Sequence, residues 1–163
     1  MGVKLIFLLF SLQLWHLSMG IEIPQDLAKS SDFSKCVSSC NKFPLQIGSK
    51  LYYIESTVKV NWFQAVNNCR KIGGYLLNID NSSEMDIMEI LLSSGRYWTS
   101  SNNLSSNSFL SLTTGKPMPY NRWKEGQPGE KRDKENCVEI VKGVLNVEDC
   151  QTLMNYVCQA NKL

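Results

Sequence analysis

From about residue 45 the chain alternates short apolar runs with stretches of helical periodicity. It then breaks into a long polar region and closes in strand-like runs. Leu51-Tyr52-Tyr53-Ile54 is aromatic and β-branched enough to predict a strand. Trp62, Ala65, Val66 and Cys69 follow at i, i+3, i+4 and i+7, one stripe of a helix whose N-cap is Asn61. Gly73-Gly74 ends that helix, and Tyr75-Leu76-Leu77-Asn78-Ile79 predicts a second strand. Ser83-Glu84-Met85-Asp86 resembles a capping box opening a second helix, with Ile87, Ile90 and Leu91 expected on its inner face.

After Tyr97-Trp98-Thr99 the pattern dissolves. Residues up to about Asn136 are rich in Ser, Asn, Gly, Pro and Lys, and long irregular stretches inside compact domains are usually functional or disordered. Three β-like runs close the chain: Cys137 to Val141, Val144-Leu145, and Tyr156 to Gln159. Helices early, strands late and a large loop between them predict an α+β domain with its two ends paired.

The first twenty residues have a different logic. Lys4 precedes the apolar run Leu5 to Leu12, and Ser18-Met19-Gly20 supplies the small residues of a signal-peptidase site. The run is well short of the roughly 20 apolar residues that cross a bilayer, so residues 1–20 read as a secretory signal and no membrane insertion is expected. Residues 21–45 are polar and aperiodic, a lead segment ahead of a domain at 46–161. Six cysteines lie beyond the signal, at 36, 40, 69, 137, 150 and 158, and an even count in a secreted chain points to disulfides. Zinc is the competing reading, but no Cys-x-x-Cys pair is present. The only histidine, His16, lies in the signal segment, which removes Ser-His-Asp, Cys-His and His-ligated metal mechanisms from the mature protein. Nothing places two acids in an apolar, substrate-sized setting either, so no enzyme is expected. Net charge is near zero after processing, with acids and bases interspersed, so no nucleic-acid footprint is expected.

The strings from Trp62-Phe63-Gln64-Ala65 to Cys69, then "GGYLLNID", "YWTSSNNL", "YNRW", "ENCVEI" and "YVCQA", resemble the C-type lectin domain, and above all the small secreted lectins of insects. The likeness covers roughly residues 45 to 161. It implies a C-type lectin-like α+β fold with disulfides Cys69–Cys158 and Cys137–Cys150, and it implies recognition rather than catalysis. In the chain-entropy model the two bridges contribute roughly 4 to 5 and about 3 kcal/mol. Cys36 and Cys40 lack the family's usual spacing; they pair locally or link two chains into a homodimer.

The resemblance also assigns a ligand site. In sugar-binding members a Glu-Pro-Asn or Gln-Pro-Asp tripeptide begins ten residues before a cysteine. A glutamate stands two before that cysteine, and an Asn-Asp pair stands four and three before the next one. These groups hold one calcium and two sugar hydroxyls. Here Gln127 with Pro128, Glu135 and Asn146 keep that spacing, whereas Gly129 and Val147 stand where the family has acids or amides. Gln127, Glu135 and Asn146 are therefore the expected carbohydrate and metal ligands, with Glu130 or Asp133 as substitute acids. A shell with one assured carboxylate holds calcium weakly, near the millimolar end of the range. The Gln-Pro start goes with galactose-type sugars where calcium is used. The expected partner is a glycan or glycoprotein, and the alternative is calcium-independent protein recognition on the same fold. Asn81-Ser82-Ser83 and Asn103-Leu104-Ser105 are glycosylation sequons. Trp98 and Trp123 are expected in the interior rather than stacked on sugars. The run Glu130 to Lys134 is expected to be a solvated loop tip.

Overall fold

The computed structural model describes residues 42–129 and 135–161, with Glu135 described in its backbone alone. The expected signal, most of the lead segment, Cys36, Cys40 and the run 130–134 lie outside the described residues. The elements are β1 (Leu45–Ile47), β2 (Lys50–Val60), α1 (Trp62–Lys71), β3 (Tyr75–Leu76) and α2 (Ser82–Leu91). They continue with β4 (Arg96–Asn102), β5 (Leu110–Ser111), β6 (Glu135–Val141), β7 (Val144–Asp149) and β8 (Met154–Asn161).

The strands form one sheet in the order β1-β2-β8-β4-β6-β7, with β3 added to β8 and β5 to β4. All pairings are antiparallel except β4 with β8, which run parallel through Tyr97↔Asn155 and Trp98↔Tyr156. The two ends of the domain meet on β2 and β8, from Lys50↔Asn161 to Val60↔Met154, as expected. The β6–β7 hairpin turns through Lys142 and Gly143, both at positive φ, a two-residue turn that matches the twist of its strands.

Helix α1 follows its predicted pattern. The Asn61 side chain accepts from Gln64 N, Gln64 answers through the Asn61 backbone N–H, and Trp62, Ala65 and Cys69 are buried. Gly73 at φ +89° ends the helix. At Gly74 a Cβ would come 2.6 Å from the Gln159 carbonyl, so only glycine lets the chain pass that close to β8.

Helix α2 departs from expectation. Its cap is Asn81, whose side chain accepts from Glu84 N at 3.0 Å, and its buried residues are Glu84, Met85 and Met88, followed by Leu92. Ile90 is 77% exposed and Leu91 is also exposed, so the inner face lies about a third of a turn from the one read in the sequence. A long-range anchor sets this rotation. Glu84 accepts from Tyr52 Oη at 2.5 Å and from Lys50 Nζ at 2.8 Å, and Lys50 also pairs with Asp80 at 2.7 Å. Burial first, then the Glu84 carboxylate, push the Tyr52 hydroxyl far above the usual phenol range.

The second expected strand is only partly a strand. Tyr75 and Leu76 pair with β8, whereas Leu77 N donates to Val157 O and Asn78 N donates to the Gln159 side chain. The core forms two clusters. One gathers Trp62, Ala65, Cys69, Trp98, Cys137, Cys150 and Cys158 with α1; the other gathers Met85, Met88, Leu92, Val138, Ile140 and Leu145 with α2. Both disulfides lie in the first cluster, joining Cys69 to Cys158 and Cys137 to Cys150, each with Cα atoms 5.2 Å apart.

Candidate functional site

The irregular region is fastened to the sheet by its backbone. Lys124 N donates to Leu145 O at 2.8 Å, and Leu145 N donates to Arg122 O at 2.7 Å. Trp123 is half-buried and packs on Phe109 with ring centroids 5.2 Å apart, while Trp98 is fully enclosed, so neither tryptophan is a free stacking platform. Arg122 ties the same segment to α2 through Asp86 at 2.5 Å and Glu89 at 3.3 Å.

This fastening delivers Gln127 to β7. After the turn at Glu125-Gly126, the Gln127-Pro128 peptide is cis. The Gln127 Oε1 accepts from Val147 N at 3.4 Å, which places it one residue from Asn146. The backbone of Glu135 pairs with Asp149 on the same hairpin. Gln127 and the backbone of Glu135 are thus brought to the strand that carries Asn146.

Among the described residues the side chains do not assemble as a metal shell. Alternation along β7 sends Leu145 and Val147 into the interior and turns Asn146 and Glu148 to the other face. Val147 is 7% exposed, so an apolar side chain fills the place of the expected acid. Asn146 Nδ2 donates to Glu139 Oε1 at 2.8 Å. Glu139 is 1% exposed and grips Arg96 with two bonds of 2.6 Å, and Arg96 also reaches Glu148. The amide of Asn146 is thus tied into a buried ion-pair network. Among the described residues no three His, Cys, Asp or Glu side chains stand together as a metal cage. Judged by the donors described, the set does not fit a full calcium shell.

Sequence reasoning missed this Arg96–Glu139–Asn146–Glu148 network. Only the register Glu139↔Asn146 reveals the partner of Glu139. Of the two sequons, Asn81 is exposed at the cap of α2. Asn103 is buried, with an Oδ1 that has no hydrogen-bond partner among the described residues. No helix among the described residues is long and apolar enough to cross a membrane.

The fold of this sheet, stapled by Cys69–Cys158 and Cys137–Cys150, is shared with known proteins. The Lectin C-type domain model matches residues 58–160. This chain belongs to the C-type lectin domain family. It is 35% identical to C-type lectin 37Db of Drosophila melanogaster over 127 residues, which cover 74% of this chain and 84% of that one. It is 31% identical to accessory gland protein Acp29AB of Drosophila simulans over 72% of this chain, but spans only half the length of that relative. Among solved structures, the mouse scavenger receptor C-type lectin carbohydrate-recognition domain superposes with a TM-score of 0.68 at 22% identity, covering 73% of this chain and 95% of that one. A calcium-independent type II antifreeze protein superposes with a TM-score of 0.65 at 17% identity, covering 73% of this chain and 92% of that one. At these identities the likeness to solved structures concerns the fold. The C-type lectin domain is a recognition module, and that is the class of function the family membership gives this chain.

Proposed function

We propose that this C-type lectin domain is a secreted protein that recognises a glycan or glycoprotein through the surface built from residues 120 to 148, with calcium held weakly. The observation that carries the reading is the seating of Gln127 on β7 beside Asn146, at the family's spacing from Cys137 and Cys150. Gln127, Glu135 and Asn146 are the proposed ligand groups. The Gln127-Pro128 start favours a galactose-type sugar where calcium takes part. Secretion is supported by the apolar leader and by the likeness to insect C-type lectins and an accessory gland protein. A glycan on the protein itself belongs on the exposed Asn81 rather than on the buried Asn103.

A second reading rests on its own observation. Val147 is buried where an acid would stand, and Asn146 is engaged by Glu139, so the same surface suits calcium-independent recognition of a protein. Calorimetric titration with calcium, with and without galactose, separates the two. Millimolar calcium binding that galactose strengthens supports the glycan reading. Heatless titrations in both arms move the assignment to calcium-independent recognition.

A further inference from the structure

A cavity of about 440 Å³ opens on the α1 side of β2 and β8, lined by Lys42, Pro44, Tyr53, Asn68, Lys71, Ile72 and Tyr156. In the sheet order, β4 stands between these strands and the β6–β7 hairpin, so the cavity belongs to a different region of the molecule from the Gln127 surface. Its volume falls within the range of small-molecule sites.

Three features define what it would take. The first is charge. Lys50, Arg96 and Arg122 are each held by carboxylates, whereas Lys42 and Lys71 at this mouth have no carboxylate partner among the described residues. Both are exposed, and no acid lines the cavity among the described residues. The Glu55 carboxylate is occupied by Tyr53 Oη at 2.7 Å and by Thr57 and Val58. Arg70 lies in the same last turn of α1 and stacks on Tyr75. Basic residues in a last turn complement the helix dipole, which accounts for Arg70 and Lys71 but not for Lys42, which reaches the mouth from the chain ahead of β1.

The second feature is polarity of both senses. The Tyr53 hydroxyl spends its hydrogen on Glu55 and keeps a lone pair to accept with. The Tyr156 hydroxyl accepts from Asn68 Nδ2 at 3.2 Å and keeps its hydrogen to donate. Asn68 adds an amide, so a ligand meets acceptor, donor and amide against two phenol rings, Pro44 and Ile72. The third is rigidity. Cys158 pairs with Tyr53 across the sheet, and its disulfide holds Cys69, the neighbour of Asn68. The cavity wall is therefore stapled rather than improvised.

Alternating hydroxyl donors and acceptors on an apolar, ring-lined wall suit the hydroxyls and C–H surface of a pyranose, and two ammonium groups with no carboxylate partner among the described residues suit an anion on it. We propose that this cavity is a second, calcium-independent site for an acidic saccharide, a sugar ring bearing a carboxylate or sulfate.

The test uses the secreted full chain in chelator, with three tetrasaccharides: hyaluronan (carboxylates), chondroitin 6-sulfate (carboxylates and sulfates) and chitotetraose (neutral). Binding of one or both anionic probes, weakened by salt, with no binding of the neutral one, is the expected result. A stronger response to the chondroitin probe identifies sulfate as the better anion, and equal responses identify the carboxylate. Lys42→Gln with Lys71→Gln changes two exposed side chains and should weaken binding about tenfold. Tyr156→Phe keeps the ring and should weaken it about threefold by removing the donor. Gln127→Ala should leave it unchanged, which keeps this test separate from that of the β7 surface. The proposal is overturned if neither anionic probe binds, or if the lysine variant binds as the wild type does. It is equally overturned if tetraglutamate binds as well as the saccharides and Tyr156→Phe has no effect, because the site is then a charge trap for acidic peptides.

Discussion

Replacing Glu139 by glutamine should cost about 2 kcal/mol of folding stability. The Glu139 carboxylate receives Arg96 Nε on Oε2 and both Arg96 Nη2 and Asn146 Nδ2 on Oε1. A glutamine with its oxygen at the Oε1 position keeps the latter two bonds in weaker, neutral form. Its NH2 group then faces Arg96 Nε, donor against donor. One charge-assisted bond is lost outright, which is worth about 1.5 to 3 kcal/mol. Arg96 is 44% exposed on its side chain, so its charge stays hydrated, and the larger penalty of a stranded buried ion does not apply. Urea unfolding followed by tryptophan fluorescence, with disulfides intact, measures the difference, and an unchanged m-value keeps the comparison valid. Glu148→Gln is the control. Glu148 meets the same Arg96 with its side chain 27% exposed, and its loss should cost under about 1 kcal/mol. If Glu139→Gln stays within about 0.5 kcal/mol of wild type, or Glu148→Gln costs as much, burial is not what gives this network its strength.

Val147→Asp puts a carboxylate in a buried position, so it should lower stability by about 2 kcal/mol in chelator. Together with Gly129→Asp it should raise calcium affinity at least about tenfold and recover stability as calcium is added. Tight, chelator-sensitive galactose binding by the unmodified chain would sink the weak-site reading. Gly129 has no positive φ, but a Cβ there comes within 3.3 Å of Gly126 O, so Val147→Asp alone is the first variant to make. Glu55 is held down to about 2 chiefly by the Thr57 hydroxyl, aided by Tyr53. Its contribution is present above its ordinary value of 4.5 and fades as pH falls from there towards about 2, so Glu55→Gln should flatten acid unfolding in that window. Asn81→Gln should remove a glycosidase-sensitive mass from the secreted protein, whereas Asn103→Gln should not; the reverse result would mean that the chain is modified before Asn103 is buried.

Local signals carried much of the fold. Asn61, the Trp62–Cys69 stripe and Gly73 specify α1 without help from elsewhere, and the structure follows them residue by residue. Helix α2 defeated the same method because two faces compete. Ile87, Ile90 and Leu91 are the more hydrophobic set, yet Met85 and Met88 are buried, since Lys50 and Tyr52, more than thirty residues back, capture Glu84 and fix the rotation. The second strand ran short for a related reason, as Asn78 bonds a side chain of β8 instead of its backbone. At the candidate site, the family resemblance singled out Gln127 and Asn146 by their spacing from cysteines. It could not show that Asn146 faces Glu139, because that follows from cross-strand register, which no local spacing encodes.

The Cys69–Cys158 bridge has a mechanical meaning. A pull applied at the two ends of the domain peels β1 from β2 and opens the Lys50↔Asn161 end of β2 and β8, where the pairs separate in succession like a zipper. That opening runs only three residues along β8 before it meets Cys158, and the tension then passes through sulfur to Cys69. Everything between those cysteines, including the long irregular region, both faces of β6 and β7, and the second disulfide, sits off the load path. A recognition surface built there keeps its shape while the domain is tugged by whatever it is tethered to.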